Sequence, residues 1–185
     1  MPRNRVLVPK EQKRDELLVA AALLLVRDGY EATSMSKLAQ HAGVAPNTLY
    51  WYFQDKDDLL VAVADRYLHT LLAELGTVTA EPLAEQFHWL VDRLRPVKHL
   101  VATVHNRLAV SPVIDEWHTG FHRTLEQVFA ANLPHPIPAD RRVAEVAAAT
   151  FTLEGAITHA VDADTTRGLC AIAADRLMTA ATAHG

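Results

Sequence analysis

The sequence predicts an all-α chain in two parts: a small N-terminal domain of three helices, residues 1–56, and a larger C-terminal helical domain, residues 57–185, with about nine helices in all. Three observations carry this reading. Apolar residues recur at helical spacing almost throughout. Period-two runs and hairpin dipeptides long enough to make strands are missing. Prolines and glycines cluster at the places where one periodic segment gives way to the next. Half of the 185 residues are apolar, enough to build a sizeable core.

The most informative stretch is Ser34 to Lys56, SMSKLAQHAGVAPNTLYWYFQDK. Ser34 stands where an N-cap hydroxyl accepts a bond from an orphan backbone N–H, and Leu38 and Ala42 recur one turn apart. Gly43 closes that helix in a left-handed conformation, and Val44 supplies an apolar plug before the next. Pro46 opens a second helix at little cost, since the N–H it lacks has no partner in a first turn. This helix is expected from Pro46 to Phe53, with Leu49 and Phe53 facing inward and Asn47, Tyr50 and Trp51 facing outward. Four consecutive aromatics, Tyr50 to Phe53, point around more than half of the helix and cannot all enter one core. Two short helices joined by a glycine turn, the second presenting amide and aromatic groups outward, form a helix-turn-helix reader of DNA. Asn can bond an adenine edge, tyrosine or proline can touch a thymine methyl, and hydroxyls and indole N–H groups reach phosphates.

Across residues 14–75 the chain resembles the TetR family of bacterial one-component transcriptional regulators. The resemblance rests on an apolar first helix ending in Asp28-Gly29-Tyr30, the Ser34-Met35 cap, Leu38-Ala39, Ala42-Gly43-Val44, Thr48-Leu49-Tyr50-Trp51-Tyr52-Phe53 and Lys56-Asp57-Asp58-Leu59-Leu60. It implies base contacts from Pro46, Asn47 and Tyr50, and phosphate contacts from Ser36, Lys37, Thr48, Trp51, Tyr52 and Lys56. Ala45 departs from the family pattern, standing where a capping serine is common. For Lys56 there is also a local argument: Asp55 can cap the next helix, and the positive end of that helix, with the lysine, favours an anion.

Charge divides along the chain. The formal net charge is −4, yet residues 1–60 hold equal numbers of acidic and basic groups, so the rest carries the whole excess. Arg3, Arg5, Lys10, Lys13 and Arg14 against Glu11 make the first fourteen residues strongly basic, and the arm MPRNRVLVPK, whose prolines at 2 and 9 disfavour a helix, is able to track a phosphate backbone or enter a minor groove. The longest apolar run, Leu17 to Val26, falls well short of the roughly 20 residues a membrane-spanning helix needs, so no membrane is expected as a partner and the chain is expected in the cytoplasm. The lone Cys170 excludes an intrachain disulfide.

Beyond Lys56, Leu59, Leu60, Val63, Tyr67 and Leu71 stripe a long helix that ends near Gly76. A helix over about 81–93 follows, broken at Pro96, then one over about 97–109. Ser111 and Pro112 cap and open a helix reaching about Asn132, and the three prolines of 133–138 form a loop. Two alanine-rich helices, about 141–161 and 165–182, complete the chain and suit close packing about a two-fold axis. The family resemblance implies the same: a homodimer made by the last two helices, reading a double-stranded pseudo-palindromic operator and released by a small-molecule effector bound among the middle helices. Phe87, Trp89, His105, Trp117, Phe121, Phe151 and Glu154 are the candidates to meet that effector. The alternative is a DNA-binding protein of the same fold that acts without a small ligand, through a protein partner or as a constitutive architectural factor.

No cofactor and no catalytic residue is expected, since the chain has no glycine-rich phosphate loop, no Gly-x-Ser-x-Gly elbow and no metal-hydrolase helix. His118 and His122 stand four apart, but Gly120 between them weakens the helix and no cysteine or acidic cluster nearby completes a ligand set, so no metal is expected.

Overall fold

In the computed structural model, residues 9–182 are described, and among them nine α-helices and one 3-10 turn occur with no strand. Two compact units divide the chain, Met1–Tyr67 and Leu68–Gly185. The break falls inside a helix rather than at its start, so the first turns of that helix belong with the N-terminal unit.

The N-terminal unit holds α1 (Lys10–Asp28), α2 (Met35–His41), α3 (Pro46–Tyr52) and the first part of α4 (Lys56–Leu75). Leu17, Leu18, Leu24 and Leu25 of α1, Leu38 of α2, Leu49 of α3 and Leu59, Leu60 and Val63 of α4 are all fully buried. Lys10 begins α1 with Pro9 in the cap position, so the helix starts inside the segment expected to be an extended arm. Arg3 and Arg5 lie outside the described residues.

The turn between α2 and α3 follows from two local choices. Gly43 adopts φ +66°, Val44 N–H reaches Ala39 C=O at 3.0 Å, and Gly43 N–H reaches Gln40 C=O at 3.1 Å. This is the paired closure of a Schellman motif, and it satisfies two carbonyls at the end of α2. A Cβ at Gly43 would meet nothing within 4 Å, so only the backbone conformation requires glycine here. Gly43→Ala is therefore expected to destabilise the N-terminal unit by about 1–2 kcal/mol, the cost of a left-handed alanine. Thermal melts of the two proteins check this; equal melting temperatures would show that the turn has no conformational demand.

The C-terminal unit holds the rest of α4, then α5 (Leu83–Leu94), a 3-10 turn (Arg95–Val97), α6 (Lys98–Arg107), α7 (Pro112–Ala131), α8 (Ala139–Thr158) and α9 (Ala163–Thr182). Its core gathers Phe87, Leu90, Val91, Phe129, Leu153, Ile157, Cys170, Ala173, Ala174 and Leu177, with α5 packed on α8 and α9 and those two packed on each other. The last two helices each start two residues before the expected position. Pro138 occupies the cap position of α8 and starts it at Ala139, and the Asp162 carboxylate accepts from Thr165 N–H at 2.7 Å to start α9. Ser111 occupies the cap position of α7 but makes no side-chain capping bond.

Glu145 links the last two helices. It is buried, yet its two oxygens accept from Arg141 on α8 at 2.8 Å and from Arg176 on α9 at 2.6 Å. These bonds hold its carboxyl below the ordinary glutamate range. A carboxyl whose pKa is lowered on folding contributes stability that is complete above its unfolded value, near 4.3, and lost as pH falls through the lower folded value. Glu145→Gln is expected to cost about 1–3 kcal/mol near neutrality. In a pH series of melts the gap between the two proteins should close in acid; a gap independent of pH would remove this ion pair from the stability of the unit.

Candidate functional site

Within the N-terminal unit, α3 separates a buried side from an exposed one. Leu49 and Phe53 are each 1% exposed, whereas Tyr50 is 52% and Trp51 65% exposed, with Pro46 and Asn47 also at the surface. Thr48 and Tyr52 are half-buried on the flanks. The helix ends at Tyr52 rather than Phe53, whose backbone turns extended and swings its ring into the core. Ala45 occupies the cap position with no side-chain bond, as its methyl dictates.

Around α3 the other predicted contacts fall into two groups. Ser36, Tyr50 and Lys56 share one surface hollow of about 380 Å³ with Ser34, Met35 and Asp55, so groups from α2, α3 and the start of α4 border a common concavity. Lys37 and Lys56 already have intramolecular partners. Lys37 pairs with Asp28 at 2.9 Å and donates to Ala32 C=O at 3.2 Å. The Lys56 ammonium donates to Tyr30 C=O at 3.0 Å and lies 3.8 Å from the centre of the Tyr30 ring. The N–H groups of Asp57 and Asp58 are both taken by the Asp55 carboxylate at 2.8 Å, so the start of α4 is already capped by an anion of its own. A phosphate there meets the lysine rather than open backbone donors. Lys10, counted in the sequence with the basic N-terminal segment, places its ammonium 4.6 Å from the centre of the Trp51 ring and adds a cation beside the exposed side of α3.

The seven residues expected around an effector do not form one set. Phe87 is a core residue packed on Phe129 at 4.9 Å between ring centres, and it lines an apolar void of only about 20 Å³. Trp89 lies away from it, half-buried with Arg93 over its ring at 5.5 Å. The remaining five do converge. His105 from α6 and Glu154 from α8 approach His118 and His122 of α7, and Trp117, Phe121 and Phe151 surround them: Trp117 stacks on Phe121, Phe121 meets His122 edge-on, and Phe151 lies 6.5 Å from His122.

This corrects the expectation that nothing completes a set around His118 and His122. The partner is neither of the acids beside them in sequence, Asp115 and Glu116, but Glu154, 32 residues beyond His122 and brought in by packing of α8. Gly120 does not interrupt α7, which runs unbroken from Pro112 to Ala131 and leaves the two histidines one turn apart. The electrostatics follow from burial and contact. Burial pushes the His118 imidazole down to about 4, with the neighbouring His122 and His105 adding to the effect. For Glu154, burial alone would raise the carboxyl, but bonds from His105 and His122 hold it down to about 2, and the same bond raises His105. At neutral pH the cluster therefore presents an ionised carboxylate beside an uncharged imidazole.

Sequence similarity to known proteins lies mainly in the N-terminal part of the chain. The sequence model for "Bacterial regulatory proteins, tetR family" matches residues 17–63, which enclose α2, α3 and the turn between them. An HTH-type transcriptional activator, FasR of Mycolicibacterium smegmatis, is 36% identical over 66 residues, covering 36% of this chain and 30% of its own. The fatty acid metabolism regulator protein of Bacillus subtilis is 37% identical over 54 residues, covering 29% and 28%. These curated relatives are thus matched over less than a third of their length. A TetR transcription regulator from Haloarcula marismortui has the same fold over 89% of this chain and 97% of its own, with a TM-score of 0.71 at 18% identity.

Proposed function

Since this chain belongs to the TetR family of bacterial regulators, with an N-terminal helix-turn-helix DNA-binding domain, we propose that it is a homodimeric, sequence-specific repressor that leaves its operator when an effector binds the C-terminal unit. The observation that carries the DNA-reading part is α3 itself: Asn47, Tyr50 and Trp51 stand outward while Leu49 and Phe53 hold the helix in place. Pro46, Asn47 and Tyr50 are the base-reading groups in this proposal. Thr48, Trp51 and Tyr52 on α3, with Ser36 and Lys56 beside it, are the phosphate contacts in this proposal, and Lys37 joins them by exchanging Asp28 for a phosphate.

Dimerisation is supported by apolar side chains left in water on the last two helices. Val143 and Phe151 on α8 and Ile172 and Met178 on α9 are exposed, alongside several alanines that permit close helix approach. Two reading helices related by a two-fold axis require two inverted half-sites. Release follows only if the effector prefers the conformation that does not bind DNA.

The test is selection from random duplex DNA by the purified full-length chain, with light scattering on the same sample. Enrichment of one pseudo-palindrome by a particle of twice the chain mass is the expected result. A monomer that enriches nothing and binds only in a salt-sensitive, sequence-independent manner would favour the architectural alternative.

A further inference from the structure

Four side chains from three helices point their donor atoms at one spot in the C-terminal unit. The Nε2 atom of His118 stands 3.1 Å from Nε2 of His105 and 3.1 Å from Nε2 of His122. Oε1 of Glu154 stands 3.5 Å from Nε2 of His105 and 3.5 Å from Nε2 of His122. Donors bonded to a tetrahedral zinc ion at roughly 2.0–2.2 Å lie about 3.3 Å from one another, and the four separations fall on either side of that edge. His105, His118 and Glu154 already lie within 4.8 Å of one another, and His122, which meets His118 and Glu154, completes the set by a side-chain rotation. From this geometry we infer that His105, His118, His122 and Glu154 form a binding site for a divalent transition-metal ion, with zinc as the ion it fits.

The donor set decides the class of metal. Magnesium and calcium take oxygen ligands almost exclusively, whereas three imidazoles and one carboxylate suit zinc, with copper and nickel as competitors in affinity. The helix register also contributes: His118 and His122 are one turn apart on α7, which places two ligands on one face before the fold adds the others. His105, His118 and Glu154 bring their ligand atoms within 4.8 Å of one another even without His122. Phe121, against His118 and His122, gives the cluster an apolar flank on one side. An ion there would tie α6, α7 and α8 to a single centre.

This deepens the proposed function by assigning a metal ion as the effector, and that role rests on the regulator reading; the binding site does not. The experiment uses the full-length chain without an affinity tag, stripped with chelator and titrated with zinc against a competing indicator, with metal content measured after desalting. The expected result is one zinc per chain. His118→Ala and Glu154→Gln should each weaken binding by at least on the order of tenfold, since even the loss of an outer partner of a metal ligand commonly costs that much. Glu154→Gln keeps the shape of the side chain, so it remains informative if His118→Ala fails to fold by circular dichroism. His135→Ala, altering an exposed histidine of the loop before α8, should bind as the parent does. Zinc lost on desalting, binding unchanged in Glu154→Gln, or equal weakening in His135→Ala would overturn the site. A second arm measures affinity for the selected operator with and without zinc, where a drop of about tenfold or more is expected. Unchanged affinity with zinc bound overturns the effector role alone, and failure to select any operator counts against the regulator reading while the metal measurement stands by itself.

Discussion

Phe53→Ala should unfold the N-terminal unit and abolish DNA binding, although the residue touches no DNA in the proposed complex. The ring is 1% exposed, sits beyond the last turn of α3, and packs beside Tyr52 with the Arg14 guanidinium 5.4 Å from its centre. Removing a buried phenyl ring costs about 3–5 kcal/mol. A unit of this size holds roughly 3–10 kcal/mol in total, so the loss consumes most of its stability. The comparison that gives this meaning is Trp51→Ala. Trp51 is 65% exposed and its described contacts are with Tyr52 and the Lys10 ammonium, so its removal should cost about 1 kcal/mol or less in stability while weakening DNA binding. Circular dichroism melts and binding titrations of both variants check the pair. A Phe53→Ala protein that melts like the parent would mean that the core of this unit has been misplaced.

The double variant Asn47→Ala, Tyr50→Ala should fold normally and lose discrimination between operator and unrelated DNA by about a hundredfold or more. Both residues are exposed and one turn apart in spacing terms, three positions along α3, so neither is needed for packing. A good side-chain contact to a base edge is worth about 1–3 kcal/mol of discrimination, and two on the same helix, at about 1.5 kcal/mol each, combine to the order of a hundredfold. Sequence-independent binding should survive, because the phosphate contacts and the basic residues of α1 are untouched. Fluorescence anisotropy with operator and scrambled duplexes at several salt concentrations measures both quantities. If the double variant still prefers the operator as the parent does, α3 is not the reading element.

Much of this was legible in the chain because helix ends carry local chemistry. Gly43, Pro46 and Pro112 announce their boundaries through backbone geometry alone, and each helix edge there agrees with the structure. The alternation of Leu49 and Phe53 with Asn47, Tyr50 and Trp51 likewise follows from helical spacing. Asp162 escaped because its capping bond to Thr165 is indistinguishable in sequence from an ordinary surface aspartate. Lys37 and Lys56 stand in the sequence as phosphate contacts, and the partners they already hold, Asp28 and the carbonyl of Tyr30, reach them only through the fold. His105 and Glu154 are the clearest case: 49 positions apart, they meet at 3.5 Å through the packing of α6, α7 and α8, and no periodicity within either helix encodes that meeting.

The division of α3 into a buried anchor and an exposed reading side also bears on how such a protein can change over generations. Exchange of Asn47 or Tyr50 alters what the helix meets without disturbing Leu49 or Phe53, which hold it. Variation at the outward positions can therefore be sampled with little penalty to folding, and a duplicated copy could drift to a new operator while its scaffold stayed intact. The inward positions have no such latitude, since each fills space that no neighbour can reclaim. Preference for one DNA site over another is thus free to diversify on a framework that is not.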